Sequence, residues 1–502
     1  MPVLPDKQSV WVASAADNSV DALQWTHVQR LRRVLAIATY LALCCVAAAR
    51  ADTPWPDSHD QCEICHSEHF SQSHSWSGVG TVATTPQLNG DWLGTTGPNR
   101  MLLKAGTSND ELCISCHEQP PATPTPARRR TASLSAAPRT FTGIATWNRS
   151  AHSQVPANLG ASNGNGKCAN CHNPHGIADA NGLIPARLRS REQPVCLGCH
   201  DNLQRGDIAS QLLRTYVHGA LAPGTHDPEE GDDPAQFGTT PRNQRHVACS
   251  DCHNSHEAYE DPAPPQAPRA SSRLAGVSRI KVMNGSAGTT PVYLWQAADE
   301  PGPINEYEVC FKCHSSWTTQ PQGQADLALL TNPANASSHP IQERGRNLGI
   351  DPAAFVNGFA ADSLVRCTDC HRSDDERTAG PHGSANAHLL KSPATTSTLP
   401  ETPRRDNLCF DCHAFATYAD PAAPEAALRA SRFNGPSTTG HAVHVGVHQI
   451  PCYSCHETHG SVLNPALIAT GRGIQSYLQT SAGGTCATSC HAMQTYNGNY
   501  PR

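Results

Sequence analysis

Hydrophobic residues are spread thinly along the chain and seldom recur with the period that predicts a long helix or strand. Short helices are expected from Asn202 to Tyr216 and from Pro424 to Arg432. Segments 118–146, 260–275 and 391–405 are rich in Pro, Ser, Thr or Ala and are predicted to be surface loops or linkers. The pattern therefore predicts mostly coil, with short α-helices and little β-structure.

An apolar run from Val34 to Ala49 follows a basic flank at Arg30 to Arg33 and precedes the small-residue site Ala49-Arg50-Ala51. A basic flank, about sixteen mostly apolar residues and an A-x-A site are typical of a cleaved export signal, with Asp52 as the first mature residue. An uncleaved membrane anchor is the alternative, although the run is short for a span of roughly 20 residues.

The composition is wrong for a large hydrocarbon core. Apolar residues make up 38% and aromatic residues 5% of 502 positions, with 40 Pro and 37 Gly. Of the 22 cysteines, 20 form ten closely spaced pairs, each followed directly by a histidine. Only Cys44 and Cys45 remain, inside the apolar run, and a lipoprotein anchored through either is less favoured because the preceding residue is not small. The cysteine pairs indicate that a covalently attached group replaces the missing hydrocarbon core.

The stretch 168–200 sets the pattern, because it holds two copies of C-x-x-C-H. This spacing attaches a c-type haem. Two thiols on one tight turn can bond to the two vinyl groups of a porphyrin, and the adjacent imidazole then lies over the ring centre as the proximal iron ligand. The two copies are Cys168, Cys171 and His172, followed by Cys196, Cys199 and His200.

Five such pairs repeat at an irregular period of 81 to 118 residues between their first cysteines. A core formed by a quasi-linear chain of covalently attached haems follows from this repetition. The last motif, CATSCH, has three residues between its cysteines, and a bulge can still let both sulfurs reach the haem, so ten haems c are expected. The other motifs are Cys62, Cys65 and His66; Cys113, Cys116 and His117; Cys249, Cys252 and His253; Cys310, Cys313 and His314; Cys367, Cys370 and His371; Cys409, Cys412 and His413; Cys452, Cys455 and His456; and Cys486, Cys490 and His491.

The repeat predicts how the chain divides. About 45 mature residues per haem is too little for ten independent domains, so the haems act as covalent staples. The predicted segments are a leader and signal at 1–51 and five haem pairs at 52–160, 161–240, 241–345, 346–445 and 446–502.

Histidine is the favoured distal ligand. The competing methionine ligand raises the potential, but only Met101, Met283 and Met493 survive processing, and Met493 is too close to His491 to cross the ring. Bis-histidine ligation is therefore predicted at most sites. The predicted distal set is His59, His69, His152, His175, His218, His256, His339, His382, His441 and His459. Close competitors are His226, His444 and His448, whereas His74, His246 and His388 are expected to be surface or propionate-bonded residues.

Two positions constrain the distal ligands further. His175 lies only three residues beyond His172, so as a ligand it would serve a neighbouring haem and lock two haems together. No histidine follows His491, so the tenth haem must borrow a ligand from upstream, borrow one from another subunit, or stay open.

Zinc and disulfides explain the cysteines less well. Two C-x-x-C pairs can make a four-thiolate zinc site, and an export signal fits an oxidising compartment. Neither explains a histidine after all ten second cysteines, since 27 histidines in 502 positions supply one by chance about one time in twenty. The net charge of −6 indicates no nucleic-acid partner, and the Arg128 to Arg130 cluster is expected to be a solvated linker patch.

A family resemblance rests on CANCHNPHG with PVCLGCH, and on RCTDCH, GPHGS and NLCFDCH. These segments resemble the multihaem c-type cytochromes built from doubled C-x-x-C-H motifs, over about Asp60 to His491. The first pair, QCEICHSEH with GPNRMLLKAGTSNDELCISCH, also resembles the opening of extracellular cytochromes that polymerise into haem filaments. The resemblance implies electron transfer in the periplasm or outside a Gram-negative cell, with haems stacked in alternating parallel and T-shaped pairs.

Two classes of function remain open. Haems with both axial positions filled favour an electron conduit that serves redox partner proteins or extracellular acceptors, as a filament or with an outer-membrane porin. The alternative is a reductase of nitrite, hydroxylamine, tetrathionate or a similar species, which needs a five-coordinate iron. No C-x-x-C-K motif supports a reductase, but the absence of a histidine after His491 does.

Overall fold

The structure is a computed structural model that describes residues 144–155, 167–180, 182–184, 188–201, 206–221, 247–298, 300–318, 325–394, 408–433 and 440–498. All of them belong to one unit, Gln61–Arg502. Several predictions fall outside the described residues: the leader and signal, both motifs of the first pair, Arg128 to Arg130, and His59, His69, His74, His226 and His246.

The helices of the described residues are short, as the scattered apolar pattern predicts. Two of them begin at an aspartate whose side chain accepts a bond from a free backbone N–H: Asp207 accepts from Ser210 N (3.0 Å) and Asp326 from Leu329 N (3.1 Å). The α-helices are α1 (Ile144–Trp147), α2 (Glu192–Leu197), α3 (Ile208–Gln211), α4 (Glu306–His314), α5 (Leu327–Leu330), α6 (Phe415–Tyr418) and α7 (Glu425–Leu428).

Both predicted helices are present but shorter than expected. In the region from Pro424 to Arg432 the helix is α7, Glu425–Leu428. The one expected from Asn202 to Tyr216 is wrong in extent, because α3 ends at Gln211 and Tyr216 begins a strand that pairs with a distant segment. Tertiary pairing here overrides the local pattern.

Strands account for little of the described chain, as predicted. The longest form a hairpin, β4 with β5, and an antiparallel sheet in the order β11-β10-β9 at the C-terminal end. This sheet was not predicted from the sequence. The strands are β1 (Ala178–Asp179), β2 (Gly182–Leu183), β3 (Tyr216–Val217), β4 (Arg279–Met283), β5 (Val292–Gln296), β6 (Ser337–Ser338), β7 (Gly383–Ser384), β8 (Gly460–Ser461), β9 (Ile474–Gln479), β10 (Gly483–Thr488) and β11 (Gln494–Asn497).

Two short ladders connect repeats that are not neighbours in sequence. Strand β3, after the second motif of the second pair, pairs with β7 in the fourth pair, and β6 in the third pair pairs with β8 in the fifth. Both ladders need a glycine, because a Cβ would lie 1.8 Å from the Gln211 carbonyl oxygen at Gly383 and 1.9 Å from the Leu330 carbonyl oxygen at Gly460.

A small hydrophobic cluster lies where α4 packs on the β4–β5 hairpin. Ile280, Phe311 and Ala328 are almost fully buried there. Trp295 and Trp317 stack beside them with ring centroids 5.3 Å apart. Side chains alone thus make a compact core in the third pair.

The predicted loops are mostly irregular where they are described. Segment 260–275 has no regular structure except a 3₁₀ turn at Ser272–Leu274, and the last residues of segment 118–146 enter α1. Over the described ranges, no helix is both long and apolar enough to cross a membrane.

Candidate functional site

Each C-x-x-C-H motif in the described part of the chain folds into a single turn that brings its three functional side chains together. The backbone N–H of the histidine donates to the carbonyl oxygen of the first cysteine, four residues back, which closes the turn. The N···O distances are 2.9 Å for His172, 3.0 Å for His200, 2.9 Å for His253, 2.8 Å for His371, 2.9 Å for His413 and 2.9 Å for His456.

Local sequence explains why these turns form. In the third and fourth pairs the first motif contains an aspartate whose side chain caps the turn: Asp251 accepts from Ala248 N at 2.7 Å and Asp369 from Arg366 N at 2.8 Å. The second motif of the third pair instead forms the C-terminal end of helix α4. At the N-terminal end of that helix, Asn305 N donates to Glu308 at 3.1 Å.

The variant tenth motif closes its turn through a side chain. Cys486 lies in strand β10, and the extra residue is Thr488, whose hydroxyl accepts from Cys490 N at 3.2 Å and from His491 N at 3.1 Å. A side-chain oxygen therefore replaces the cysteine carbonyl that closes the other turns. The threonine lets a longer motif still present its histidine beside its two thiols.

Proximal histidines face a second histidine across a narrow gap. Seven pairs have ring centroids 6.0 to 6.3 Å apart. The pairs are His172 with His256 (6.0 Å), His200 with His152 (6.3 Å), His253 with His382 (6.0 Å), His314 with His218 (6.2 Å), His371 with His459 (6.0 Å), His456 with His441 (6.1 Å) and His491 with His444 (6.3 Å).

This spacing fits one metal ion between two imidazoles. A histidine nitrogen binds a metal at about 2.0 to 2.1 Å, so two nitrogens on opposite sides of one ion lie about 4 Å apart. The ring centre lies roughly 1 Å behind each nitrogen, given ordinary bond lengths, and the expected centroid separation is about 6 Å. The observed pairs therefore match the axial ligands of a haem held by the adjacent cysteines.

Backbone carbonyl groups orient many of these rings through Nδ1. Among proximal residues, His253 contacts the Arg273 oxygen (2.9 Å), His371 the His388 oxygen (2.8 Å) and His456 the Ala466 oxygen (2.9 Å). A carbonyl oxygen can only accept, so each Nδ1 carries the proton and Nε2 is left with its lone pair towards the gap.

Three of the facing histidines are oriented in the same way. His218 Nδ1 donates to the Pro381 oxygen (2.7 Å), His339 Nδ1 to the Thr458 oxygen (2.5 Å) and His444 Nδ1 to the Gly440 oxygen (2.8 Å). His441 Nδ1 contacts the Ser431 hydroxyl. Opposite His444, His491 Nδ1 donates to the Ala492 oxygen (2.7 Å), so in this pair carbonyl groups fix the tautomer of both rings.

Burial keeps these imidazoles in the neutral form that a metal ligand requires. Desolvation lowers the pKa of His314, His382, His413 and His459 to about 4, and that of His441 to about 3. The same cause lowers the pKa of His218, His253 and His339. These eight rings are therefore uncharged at neutral pH before any metal binds.

The facing histidines come from neighbouring repeats in a fixed register. A first-motif histidine faces the histidine that follows the first motif of the next pair, as His172 faces His256. A second-motif histidine faces the one that follows the second motif of the preceding pair, as His314 faces His218. His339 holds the corresponding place for His413, with which it interacts electrostatically. Each pair is therefore completed by its neighbours.

Among the described sites, only the first motif of the fifth pair departs from this register. His456 faces His441 of the preceding pair, whereas His491 faces His444, which follows the second motif of the preceding pair as the register requires. His441 and His444 flank and enter a π-helical turn, Ala442–Val447, and face His456 and His491. Such turns often occur at functional sites. His444, a competitor and not a member of the predicted distal set, therefore lies opposite the histidine of the variant motif.

The remaining candidates lie elsewhere. His175 is exposed, as is His388, which contributes its backbone carbonyl to the orientation of His371. His448 lies against His444 with ring centroids 6.4 Å apart. The carbonyl acceptors, the Thr488 hydroxyl and the role of His444 were missed from the sequence, because all three depend on contacts that motif spacing does not encode.

The cysteines reveal the order of the sites. Within each described pair, thiols of the first motif interact electrostatically with thiols of the second, as Cys171 does with Cys199. Between pairs, the first cysteine of the second motif forms a hydrogen bond with the first cysteine of the next pair. These contacts join Cys196 to Cys249, Cys310 to Cys367, and Cys409 to Cys452. The eight described sites thus follow one another in chain order.

No disulfide joins the described cysteines. No group of three or more His, Cys, Asp or Glu side chains among the described residues is arranged to hold a metal ion by itself. The C-x-x-C pairs in this part of the chain are therefore not assembled into four-thiolate sites.

Comparison with known proteins agrees with the motif chemistry. Residues 161–205 and 359–417, which contain the second and fourth pairs, match the family model for the doubled CXXCH motif. No curated protein and no solved structure matches the chain. The matches support a multihaem c-type cytochrome with covalently bound haem and suggest a role in electron transfer.

Proposed function

We propose that this protein is an electron conduit in which about ten c-type haems, each bound through two histidines, form one unbranched chain. The observation that carries the proposal is the coincidence of two patterns. The cysteine turns succeed one another in chain order, and the histidines beside them face a second histidine across a gap of one metal ion.

The haem, when bound, supplies a one-electron carrier whose potential depends on its axial ligands and surroundings. The chain's own residues would hold that carrier. The cysteines would bond to each porphyrin, the paired imidazoles would bind its iron, and carbonyl acceptors such as the Arg273 oxygen hold the imidazoles in one tautomer. An iron bound by two histidines would offer no site to a substrate, which leaves outer-sphere electron transfer between neighbours.

The register of the repeats extends this assignment to the first pair. By the same register His175 would serve the haem at Cys62 and Cys65, and His59 the haem at Cys113 and Cys116. The first pair and His59 lie outside the described residues, so their assignment rests on sequence spacing alone. His69 would then be a spare histidine.

The placement of His444 supports the conduit over the reductase. A reductase needs an open iron position, and the tenth site was the candidate for one because no histidine follows His491. His444 lies opposite His491 at 6.3 Å, close to the separation of the bis-histidine pairs elsewhere. We therefore propose a six-coordinate tenth haem and a protein without its own substrate site.

Location and partners follow from chemistry and sequence. The apolar segment with its A-x-A site predicts export, and the conduit would act in the periplasm, at the outer membrane or outside the cell. Its partners would be redox proteins or extracellular acceptors. A filament of many copies or a porin that surrounds the conduit would extend the path across the membrane.

Electronic spectroscopy of the purified holoprotein tests the proposal. Low-spin spectra for all haems in both redox states, with no change on adding cyanide or nitrite, are expected when every iron has two histidine ligands. A high-spin iron that binds nitrite would favour the reductase. Negative-stain images that show only discrete particles at high concentration would argue against a filament.

A further inference from the structure

Successive haem pairs meet at contacts that we call junctions. At two of them a glutamate of one pair accepts two hydrogen bonds from one residue of the next pair, and we call this contact a carboxylate clasp. Glu192 accepts from Ser250 N at 2.6 Å and from the Ser250 hydroxyl at 2.9 Å. Glu306 accepts in the same way from Thr368 N at 2.8 Å and from the Thr368 hydroxyl at 2.7 Å. In both cases the carboxylate uses its two oxygens on one residue of the next pair, which fixes direction as well as distance.

The clasp lies beside the haem attachment points on both sides. Each glutamate precedes the first cysteine of its motif by four residues, one helical turn, so glutamate and cysteine share a helix face. Ser250 and Thr368 directly follow the first cysteine of the next pair. Across the same junctions, Cys196 meets Cys249 and Cys310 meets Cys367. Each clasp therefore ties together the two turns whose cysteines carry neighbouring haems.

Burial makes the second clasp costly. Glu306 is only 4% exposed, and desolvation raises its pKa despite the bonds from Thr368 and the nearby Arg366. A buried carboxylate is seldom retained for stability, since an apolar replacement often serves as well. Its place at the junction points to a need for accurate geometry there.

The third described junction differs in sequence. Cys409 meets Cys452 there, but Arg405 lies four residues before Cys409 and Tyr453 follows Cys452. The position that holds the glutamate at the other two junctions is therefore not a carboxylate here.

We propose that Glu192 and Glu306 are positioning residues that hold the haems of successive pairs at a fixed separation for electron transfer. This inference rests on the proposed function. Because the sites follow one another in a single series, a junction that opens slows every electron that must pass it.

The test compares Glu306→Ala, Glu306→Gln and wild-type holoprotein. Glutamine keeps the two-point contact, since its carbonyl accepts from Thr368 N and its amide donates to the Thr368 hydroxyl. In Glu306→Ala, the Thr368 amide should exchange its hydrogen about tenfold faster or more, because a bond to a charged group is worth roughly that factor. Electron equilibration along the haems after photoreduction should slow several-fold, and the spin coupling of the flanking haems in the EPR spectrum should weaken. Glu306→Gln should restore both.

Controls separate positioning from general damage. Glu425→Ala removes an exposed glutamate whose partner, Arg429, lies on the same helix away from any junction, and it should leave both measurements unchanged. If Glu306→Ala fails to fold, Thr368→Val removes only the hydroxyl arm and should give a smaller effect of the same kind.

Faster exchange at Thr368 with unchanged electron equilibration and spin coupling would overturn the proposal, because the clasp would then be structural only. A wild-type protein without low-spin haems would instead contradict the proposed function. The two failures are therefore distinguishable.

Discussion

At the scale of single residues, the facing histidines are distinguished by their burial and, for several of them, by what Nδ1 contacts. A carbonyl group behind the ring fixes the proton on Nδ1 and turns Nε2 towards its partner, as the Thr458 oxygen does for His339. Burial then removes the competing protonated form, as for His382, whose pKa burial lowers to about 4. A histidine without such surroundings, such as the exposed His388, does not meet these conditions.

Replacement of His382 tests this distinction. His382→Ala should remove the ligand opposite His253, 6.0 Å away, and convert one haem from low to high spin. The measurement is the high-spin signal in EPR and visible absorption. His388→Ala is the matched control, since it lies six residues further on and contributes only its carbonyl oxygen. Equal spectra for both variants would contradict the assignment.

Thr488 is expected to be necessary for the variant motif. Thr488→Val keeps the shape of the side chain but removes the acceptor for Cys490 N and His491 N, so a smaller fraction of the chains should carry the tenth haem. Intact mass measures that fraction. Thr485→Val, in the same strand and with its hydroxyl 3.2 Å from Thr495, should leave occupancy unchanged, and full occupancy in both variants would show that the hydroxyl is dispensable.

Glu306 should give stability a specific pH dependence. Burial raises its pKa above the usual 4.5. At a pH between 4.5 and the raised pKa, the folded protein therefore binds more protons than the unfolded chain. Stability should therefore decrease as pH rises through this window. Glu306→Gln should remove that part of the slope in denaturation measured across the acidic range, and an unchanged slope would show that Glu306 does not titrate there.

At the scale of elements, the strand pairs β3–β7 and β6–β8 are the connections that build the array. Each joins repeats that are two pairs apart and places a facing histidine beside the glycine ladder, His218 next to β3 and His382 next to β7. The elements are too short to be stable alone. Their stability must come from the contacts that they make across repeats.

The glycines of these ladders should not tolerate a side chain. Gly383→Ala places a Cβ 1.8 Å from the Gln211 oxygen, which forces the strands apart at a cost of about 1 to 3 kcal/mol. A lower Tm and faster reduction of bound haem by added reductant are expected. Gly206→Ala is the control, because its Cβ meets no atom within 4 Å. A wild-type Tm for Gly383→Ala would contradict the close approach.

The sequence predicts elements unevenly, for physical reasons. The attachment turns follow from spacing alone, because a motif such as Cys249 to His253 closes through its own backbone. The length of α3 did not follow, since β3 pairs with a distant segment. The C-terminal sheet joins strands that are close in sequence, but these strands show no clear alternation of apolar and polar residues. The choice of His444 for the last site depends on a π-helical turn that local periodicity does not reveal.

At the scale of the whole molecule, the described chain has few buried apolar side chains and many histidine-lined gaps between repeats. The small cluster around Phe311, which is 1% exposed, is an exception in the third pair. A chain of 502 residues with 38% apolar composition needs another source of interior contacts. Covalently bound porphyrins between facing imidazoles would supply them, and the same groups would provide the electron path.

Intact mass spectrometry of the mature, coloured holoprotein tests the proposal of a haem-filled interior most directly, because each attached haem adds a fixed mass. A product that begins at Asp52 and carries ten haems is the expected result. A colourless product without haem, after expression with the maturation machinery present, would contradict the haem-filled interior and the conduit that depends on it.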